Sequence, residues 1–420
     1  MNYYNVNDLK KVFFEYFVDK CGHAKIPGAS LVPTVDESVL FTPAGMHPLI
    51  PYLTGSIKHP KGDKLVNIQN VIRTGAINQV GSDFYLTFFE LFGVWMMNDY
   101  DKYDVLLKVW NFLTSKEYLG IGKEQIYITY FAGNESHPLD IDTLHTWQKI
   151  GLPLNHTFQT SKNWKGPYSH EHICGPNTRI FYDTKKAPCS KECNALCSCG
   201  KYVELWDVVF FDYLMKDNQL TKANHPFVDM GAGVERIASL VQNVKTIYDT
   251  DRLNEIVNTV TLQIKKSDDI DDLDILRKCR IIADHLRCTC FTLGDEVITA
   301  PSNKGRGYVL RKIIRRAINI GEELGFDTNS YKSVIDKIIE LYKDEYPLLE
   351  TRYDFINEAL SHEYEIYKTT LKKNLLQIEK IIKSRESVSD EDIKKLFDTY
   401  GVPINIIKGV VQKQRILEKE

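Results

Sequence analysis

The chain has 420 residues, 43% of them hydrophobic and 26% charged, and a formal net charge of −3. That length exceeds one average domain, so two are expected, and the composition is globular rather than disordered. A charge so close to zero excludes a global field that draws the chain to nucleic acid, so RNA contact must rest on a local basic patch. No apolar run reaches the roughly eighteen residues that a bilayer span needs. The start, Met1 to Asn5, lacks a basic-then-apolar signal pattern. The 9 cysteines include four bunched together, which fits a reducing cytoplasm and a metal site better than a disulfide framework. The expectation is a cytoplasmic protein with neither membrane nor DNA as a partner.

In chain order, Asn7 and Asp8 open a helix by capping chemistry, with Val12, Phe13, Tyr16 and Phe17 at helical spacing. Residues 30–33 predict a short strand and 39–46 a buried strand that runs into a turn at Met46. Residues 66–74 alternate as a strand ending on Arg73, and after a polar loop 86–93 form a second strand through Phe88, Phe89 and Glu90. Residues 125–131 are β-branched and aromatic, hence a strand, and 142–150 a helix around Leu144 and Trp147. The glycine-proline segments that follow carry Lys165 and, with His170 and His172, two histidines read as polar loop residues rather than metal ligands.

Cys189, Cys193, Cys197 and Cys199 lie within a dozen residues, a spacing that can wrap one tetrahedral Zn²⁺ as thiolates; disulfides are the rival. With all four positions filled, such a site is structural. Residues 202–211 are an apolar strand with one polar position, Asp207. Residues 228–237 read as a strand end with Asp229, a turn paired by Gly231 and Gly233, then a helix carrying Glu235 and Arg236. The glycines allow close approach of backbone or ligand, and a fixed guanidinium stacks on a flat base or clamps phosphate oxygens.

Beyond Val241 the pattern becomes mostly helical, with a charged bridge over 265–274. In 301–317, Leu310, Ile313, Ile314 and Ala317 form a buried stripe, while Arg311 with Arg315 and Lys312 with Arg316 stack like charges at four-residue spacing. Such crowding costs helix stability, so a polyanion partner would relieve it. A long amphipathic helix over 352–384 is a bundle member or a dimer seam.

The segment VDMGAGVER (residues 228–236) resembles motif 3 of class II aminoacyl-tRNA synthetases, in the form found in the alanyl-tRNA synthetase family. The resemblance runs from Leu31-Val32-Pro33 to Asp398-Thr399-Tyr400-Gly401. It implies an α/β class II catalytic domain on an antiparallel sheet with flanking helices (1–243, with the four-cysteine insert at 189–199). An all-helical tRNA-recognition domain (244–420) would follow. It implies ATP with Mg²⁺, activation of an amino acid, alanine first among candidates, and transfer to tRNA bearing an alanine-type acceptor stem. Arg73 would hold the α-phosphate, and Phe89 (or Phe88) with Arg236 would sandwich adenine, with Glu90 and Glu235 in the nucleotide site. Arg73 and Arg236 would be the catalytic pair. Met46, Lys165, Asp207, Asp229 and Gly231 would form the amino-acid pocket, and Asp229 would bind the amino group. Asn303, Arg306, Arg311, Arg315, Arg316 and Asp398 would meet the acceptor stem, with Asn303 and Asp398 at the G·U wobble pair.

The departures from the family matter. Lys165 replaces a tryptophan, Asp207 an asparagine and Arg179 a glutamate, while Tyr85 and Leu86 stand where a histidine is usual. They leave open two alternatives: a paralogue that activates a different amino acid, such as an acidic one, for a specialised pathway, and a tRNA-binding protein without catalysis. The chain also stops where an editing domain would begin in full-length relatives.

Overall fold

The computed structural model describes residues 1–417 except 36–37, 136, 169–171, 218, 267–270, 386, 401 and 403, and excludes the side chains of 398, 405 and 415–417. The chain divides into two compact units, Met1–Val257 and Asn258–Glu420.

In the first unit, the described strands are β1 (Ala24–Lys25), β2 (Lys64–Ile72), β3 (Phe88–Met97), β4 (Ile126–Phe131), β5 (Thr157–Thr160), β6 (Trp164–Lys165), β7 (Ile173–Asp183), β8 (Tyr202–Lys216) and β9 (Gln219–Gly233). They form one sheet in the order β1-β2-β3-β9-β8-β7-β4-β5, with β6 paired to β7. Every central pairing is antiparallel; β1–β2 and β4–β5, at the two edges, are parallel, so the sheet is mixed.

Alternation along the strands assigns the two faces. Phe92, Val94 and Met96 of β3, Trp206, Val208 and Phe210 of β8, and Val228 and Met230 of β9 join the larger core. Covering it are α1 (Val6–Phe14), then, beyond the short α2 (Ile50–Leu53), α3 (Lys102–Thr114), α4 (Ile141–Ile150) and α5 (Val234–Val241). Phe13 of α1 stacks on Phe92 with ring centroids 4.0 Å apart, a pairing that adds about 0.5–1.5 kcal/mol to the area it buries. The opposite face carries a smaller core around Trp95, Phe211, Phe227, Met46 and Ile50, and leaves part of the sheet open. α6 (Asp251–Leu262) carries the division between units.

The second unit is helical: α7 (Asp272–Leu293), α8 (Gly305–Glu323), α9 (Thr328–Tyr342), α10 (Leu348–Thr351), α11 (Tyr353–Lys383), α12 (Asp390–Tyr400) and α13 (Ile404–Leu417). Helices α7, α8, α9 and α11 pack together, with Ile282, Leu286, Leu310, Ile314, Ile335 and Ile356 buried. α12 and α13 pack on the end of α11 around Ile378, Ile382, Leu396 and Ile407. The long amphipathic helix is thus a bundle member. No helix among the described residues is long and apolar enough to cross a membrane.

Three expectations about local structure need correction. The first helix is capped by Asn5, whose side chain accepts from the Asp8 N–H, rather than starting at Asn7. Residues 30–33 and 39–46 are not strands. Pro33 and Pro43 lack the N–H that a ladder needs, and the segment is held instead by bonds such as Thr42 N–H to the Leu31 carbonyl. Gly231 and Gly233 sit inside β9, which runs straight into α5 without a turn.

Candidate active site

The open face of the sheet holds a cavity of about 340 Å³. β3 contributes Phe89 and Leu91, β8 contributes Glu204, Asp207 and Val209, and β9 contributes Asp229 and Gly231. Arg73 reaches it from the end of β2 and Arg236 from the first turn of α5, so two arginines far apart in sequence meet at one hollow. Met46, Lys165 and Glu235 complete the set of expected residues on its wall.

Strand periodicity decides which of the expected β3 residues face this hollow. Phe89 does; Phe88 and Glu90 point the other way, into the interior. The Glu90 side chain, only 1% exposed, takes Lys10 Nζ at 2.5 Å and Arg252 Nη1 at 3.7 Å. Phe88 and Glu90 therefore do not line the cavity that Phe89 lines: residues one apart on a strand cannot share a face. Glu235 is tied to the same network, accepting the Glu90 N–H at 3.3 Å.

Arg73 Nε donates to the Pro43 carbonyl at 2.8 Å, and its guanidinium lies over the Phe89 ring, 5.1 Å from the centroid. The aromatic face expected to pair with Arg236 is thus shared with Arg73. The surrounding protein, and then the Arg236 guanidinium, lower the Arg73 pKa from its ordinary value, although solvent still reaches Arg73 through the cavity mouth. Arg236 donates to the carbonyls of Glu204 and Phe84, each at 3.4 Å. These long bonds hold the side chain in place without saturating it.

A bulge brings an unexpected carboxylate to the site. In the β7–β8 ladder Trp206 pairs with Ile180 but Glu204 with Phe181, so Leu205 is left over. An extra residue re-aims the side chains that follow it. Glu204 and Asp207, three apart, consequently both line the cavity. Glu204 receives Arg179 Nη1 at 3.4 Å, and Arg179 also donates to Asn163 Oδ1 through Nε at 3.1 Å and Nη2 at 2.8 Å. Asp207 accepts Lys165 Nζ at 3.2 Å and Asn177 Nδ2 at 2.6 Å. Burial works against the Lys165 ammonium, but Asp207 outweighs it and raises the pKa above the usual lysine value. Asp229 has no ion-pair partner among the described residues; its enclosure by protein, then the Asp207 charge, push its carboxyl up to about 7.

Gly231 borders the hollow. A Cβ there would meet Leu91 at 3.6 Å, an ordinary contact, so its missing side chain serves open volume rather than packing. Sequence reasoning missed Glu204 and the cavity-lining Tyr168. Glu204 stood in the strand already singled out, but strict alternation from Asp207 places it on the wrong face unless the bulge is known.

The Sγ atoms of Cys189, Cys193 and Cys197 lie within 4.8 Å of one another, and Cys193 Sγ is 3.6 Å from Cys199 Sγ. Ligand sulfurs about 2.3 Å from one tetrahedral ion stand roughly 3.8 Å apart, so Cys189, Cys193 and Cys197 are grouped closely enough to hold a metal, whereas Cys199 approaches Cys193 without joining that group of three. All four thiols are free; a backbone hydrogen bond at Lys201 lowers the Cys199 pKa, whereas hydrogen bonds with Cys193 and then Cys199 push the Cys189 thiol up to about 12, so the thiols share protons. His172 sits at a positive φ of 55° ahead of β7, away from this cluster; His170 lies outside the described residues.

In the second unit the basic stripe of α8 is not the uncompensated stack that four-residue spacing suggests. Glu363 of α11, 1% exposed, takes Arg311 Nε at 3.1 Å and Arg315 Nε at 2.6 Å. Arg315 also lies over Tyr367, 5.6 Å from its centroid. Arg311 donates to Asn303 as well, and Arg316 Nη1 approaches His285 Nε2 at 3.3 Å. Arg306 lies half-buried in the first turn of α8. A carboxylate some fifty residues on relieves the crowding assigned above to a polyanion. Asp398 belongs to α12, and its side chain lies outside the described residues.

A family model described as tRNA synthetases class II (A) matches residues 8–418. The chain is 40% identical over 408 residues to the alanine-tRNA ligase of Borrelia hermsii (strain HS1 / DAH), covering 96% of this chain and 68% of that protein. It is 36% identical over 415 residues to the alanine-tRNA ligase of Treponema pallidum (strain Nichols), covering 97% and 68%. Identity to the alanine-tRNA ligase of Thermotoga sp. (strain RQ2) is 33% over 427 residues, which span 99% of this chain and 48% of that protein. With a site that gathers two arginines and several carboxylates in one hollow, these matches place the chain in the alanyl branch of the class II tRNA synthetases, an aminoacyl-tRNA ligase.

Proposed function

We propose that the cavity activates alanine with ATP and that the chain then transfers the alanyl group to the terminal adenosine of a tRNA carrying an alanine-type acceptor stem. One observation carries this reading: Arg73, Arg236 and Asp229 border one hollow, and in this reading they would meet an adenylate's phosphate, base and amino group respectively. The amino-acid carboxylate attacks the α-phosphate and pyrophosphate leaves. Negative charge builds on that phosphate, and Arg73, already fixed by Pro43, needs no reorganisation to meet it. Phe89 and Arg236 flank the adenine. Asp229, ionised, receives the ammonium, and Met46 with Gly231 bounds the room for a methyl side chain. When bound, Mg²⁺ would neutralise phosphate charge; Glu204, on the cavity wall with its side chain 34% open, is the carboxylate that would help hold it.

Asn303, Arg306, Arg311, Arg315, Arg316 and Asp398 form the acceptor-stem surface in this reading, with Asn303 and Asp398 at the wobble pair. The protein acts in the cytoplasm, where its thiols stay reduced. Lys165 and Arg179 do not speak for an acidic substrate, because each is already matched by a carboxylate of its own. The test is amino-acid-dependent ATP–pyrophosphate exchange over a panel of amino acids, followed by charging of tRNA with G·U or G·C at the wobble position. Exchange with alanine and preferential charging of the G·U stem are expected. Exchange with no amino acid would sink the activation reading; equal charging of both stems would remove the acceptor-stem part.

The four-cysteine loop holds Zn²⁺ as a structural ion. Elemental analysis is expected to find about one zinc per chain, lost in Cys193→Ser, with the loop over 186–200 becoming the first site of proteolysis after chelation. Metal-free protein with four titratable thiols and an unchanged proteolytic pattern would remove the claim.

A further inference from the structure

β8 and β9 present three carboxylates to the cavity, and two of them arrive with their own cation. Glu204 has Arg179, and Asp207 has Lys165; Asp229 alone has none among the described residues. The Lys165–Asp207 pair stands at the same end of the cavity as Asp229, because Asp207 pairs with Gly231 across the β8–β9 ladder and Asp229 with Val209, two positions along. Lys165 comes from β6, hydrogen-bonded to β7, so its backbone is fixed by the sheet rather than by a loose loop. Both side chains remain partly open, at 35% and 23%, so a ligand in the cavity touches the pair rather than passing behind it.

We propose that the Lys165–Asp207 pair is the specificity-determining element of the amino-acid pocket: each charge cancels the other, leaving Asp229 the one carboxylate free for a single ammonium. The inference rests on the reading that the cavity activates an amino acid. Its physical content is mutual masking. An unmasked Asp207 adds a second anion beside Asp229, which competes for the substrate ammonium and invites a second one. An unmasked Lys165 repels the ammonium and offers a counter-ion to an acidic side chain. Discrimination here comes from keeping wrong charges silenced, not from an added attraction to the right substrate. Lys165 and Asp207 both line the cavity beside Asp229, so either unmasked charge would face an amino acid whose ammonium sits at Asp229.

The experiment uses the full chain with Lys165→Met, Asp207→Asn and the double variant. Calorimetric binding of alanine, aspartate and 2,3-diaminopropionate is measured in the presence of a non-hydrolysable ATP analogue, alongside exchange with the same amino acids. Asp207→Asn is expected to weaken alanine at least about tenfold and to gain aspartate; Lys165→Met should weaken alanine similarly and gain diaminopropionate. In the double variant the preference for alanine over both charged amino acids returns, so the two substitutions couple rather than add. A merely structural pair would lower all three ligands together. Single variants that bind with an unchanged order of preference, or a double variant whose losses multiply, would overturn the proposal. Wild-type protein that binds alanine yet gives no exchange would count against the activation reading alone. Variants that melt more than a few degrees below the wild type are replaced by Asp207→Ser and Lys165→Gln, judged on the same order of preference.

Discussion

Arg236→Ala is expected to lower alanine-dependent exchange about 10²–10³-fold while leaving the fold intact. The two halves of that statement have separate grounds. The helix that carries Arg236 is anchored by Ile237, Ala238, Leu240 and Val241, all buried in the core, and not by the arginine. The arginine itself makes only two 3.4 Å bonds to carbonyls, so its truncation costs at most about 1 kcal/mol of stability. In the proposed reaction its value would be greater, because it would be needed in one orientation, flat against a base and charged beside phosphates, within a cavity walled by protein. Arg236→Lys keeps the charge but loses the plane and the fork of donors, and should recover only a small part of the rate. The double variant Arg73→Ala with Arg236→Ala should lose less than the product of the two single losses, since both side chains face one hollow and Arg73 already leans on Phe89. Exchange kinetics and melting curves on these three variants, the Arg73→Ala single variant and the wild type settle it. An Arg236→Ala enzyme within threefold of the wild type would remove Arg236 from the machinery.

The residues that could be read from the chain are those whose role needs only their own type and a nearby backbone pattern. The cysteine run falls in this class by its spacing, while Arg73 and Arg236 stand out through the resemblance, and the structure brings both to one cavity. Phe88 and Phe89 could not be separated, because choosing between them requires the strand's starting phase, which depends on its partners β2 and β9. The same applies to Glu90, which resembles a site carboxylate in sequence yet turns inward. Strands expected near Pro33 and Pro43 failed because local apolar character does not provide hydrogen bonds. Ion pairs were the least legible feature. Lys165 reaches Asp207, Arg179 reaches Glu204, and Arg311 and Arg315 share Glu363, in each case at a sequence separation of 25 to 52. One signal did exist: Lys165 and Asp207 both depart from the family, in opposite charge, which is what compensation looks like before the contact is known.

Glu90 provides the second large effect, and it separates a structural carboxylate from a nucleotide-binding one. The side chain is buried at the meeting of α1, β3 and α6, where Lys10 and Arg252, themselves buried, both turn to it. Removing the shared anion leaves two cations in a site that water cannot re-enter, so Glu90→Ala is expected to cost about 3–5 kcal/mol. For a unit of this size that corresponds to a fall in melting temperature of roughly 6–20 °C. Glu90→Gln keeps the shape and hydrogen bonds but not the charge, and should fall between the two. The exchange KM for ATP in Glu90→Gln, measured well below its melting temperature, is expected within about threefold of the wild type, because the side chain faces away from the cavity. Replacing the set together, as Lys10→Met with Glu90→Leu and Arg252→Met, should regain much of the loss, since an apolar cluster of similar volume needs no counter-ions. A Glu90→Gln protein that melts normally but requires tenfold more ATP would reverse the assignment, returning Glu90 to the nucleotide wall and requiring β3 to be turned by one residue.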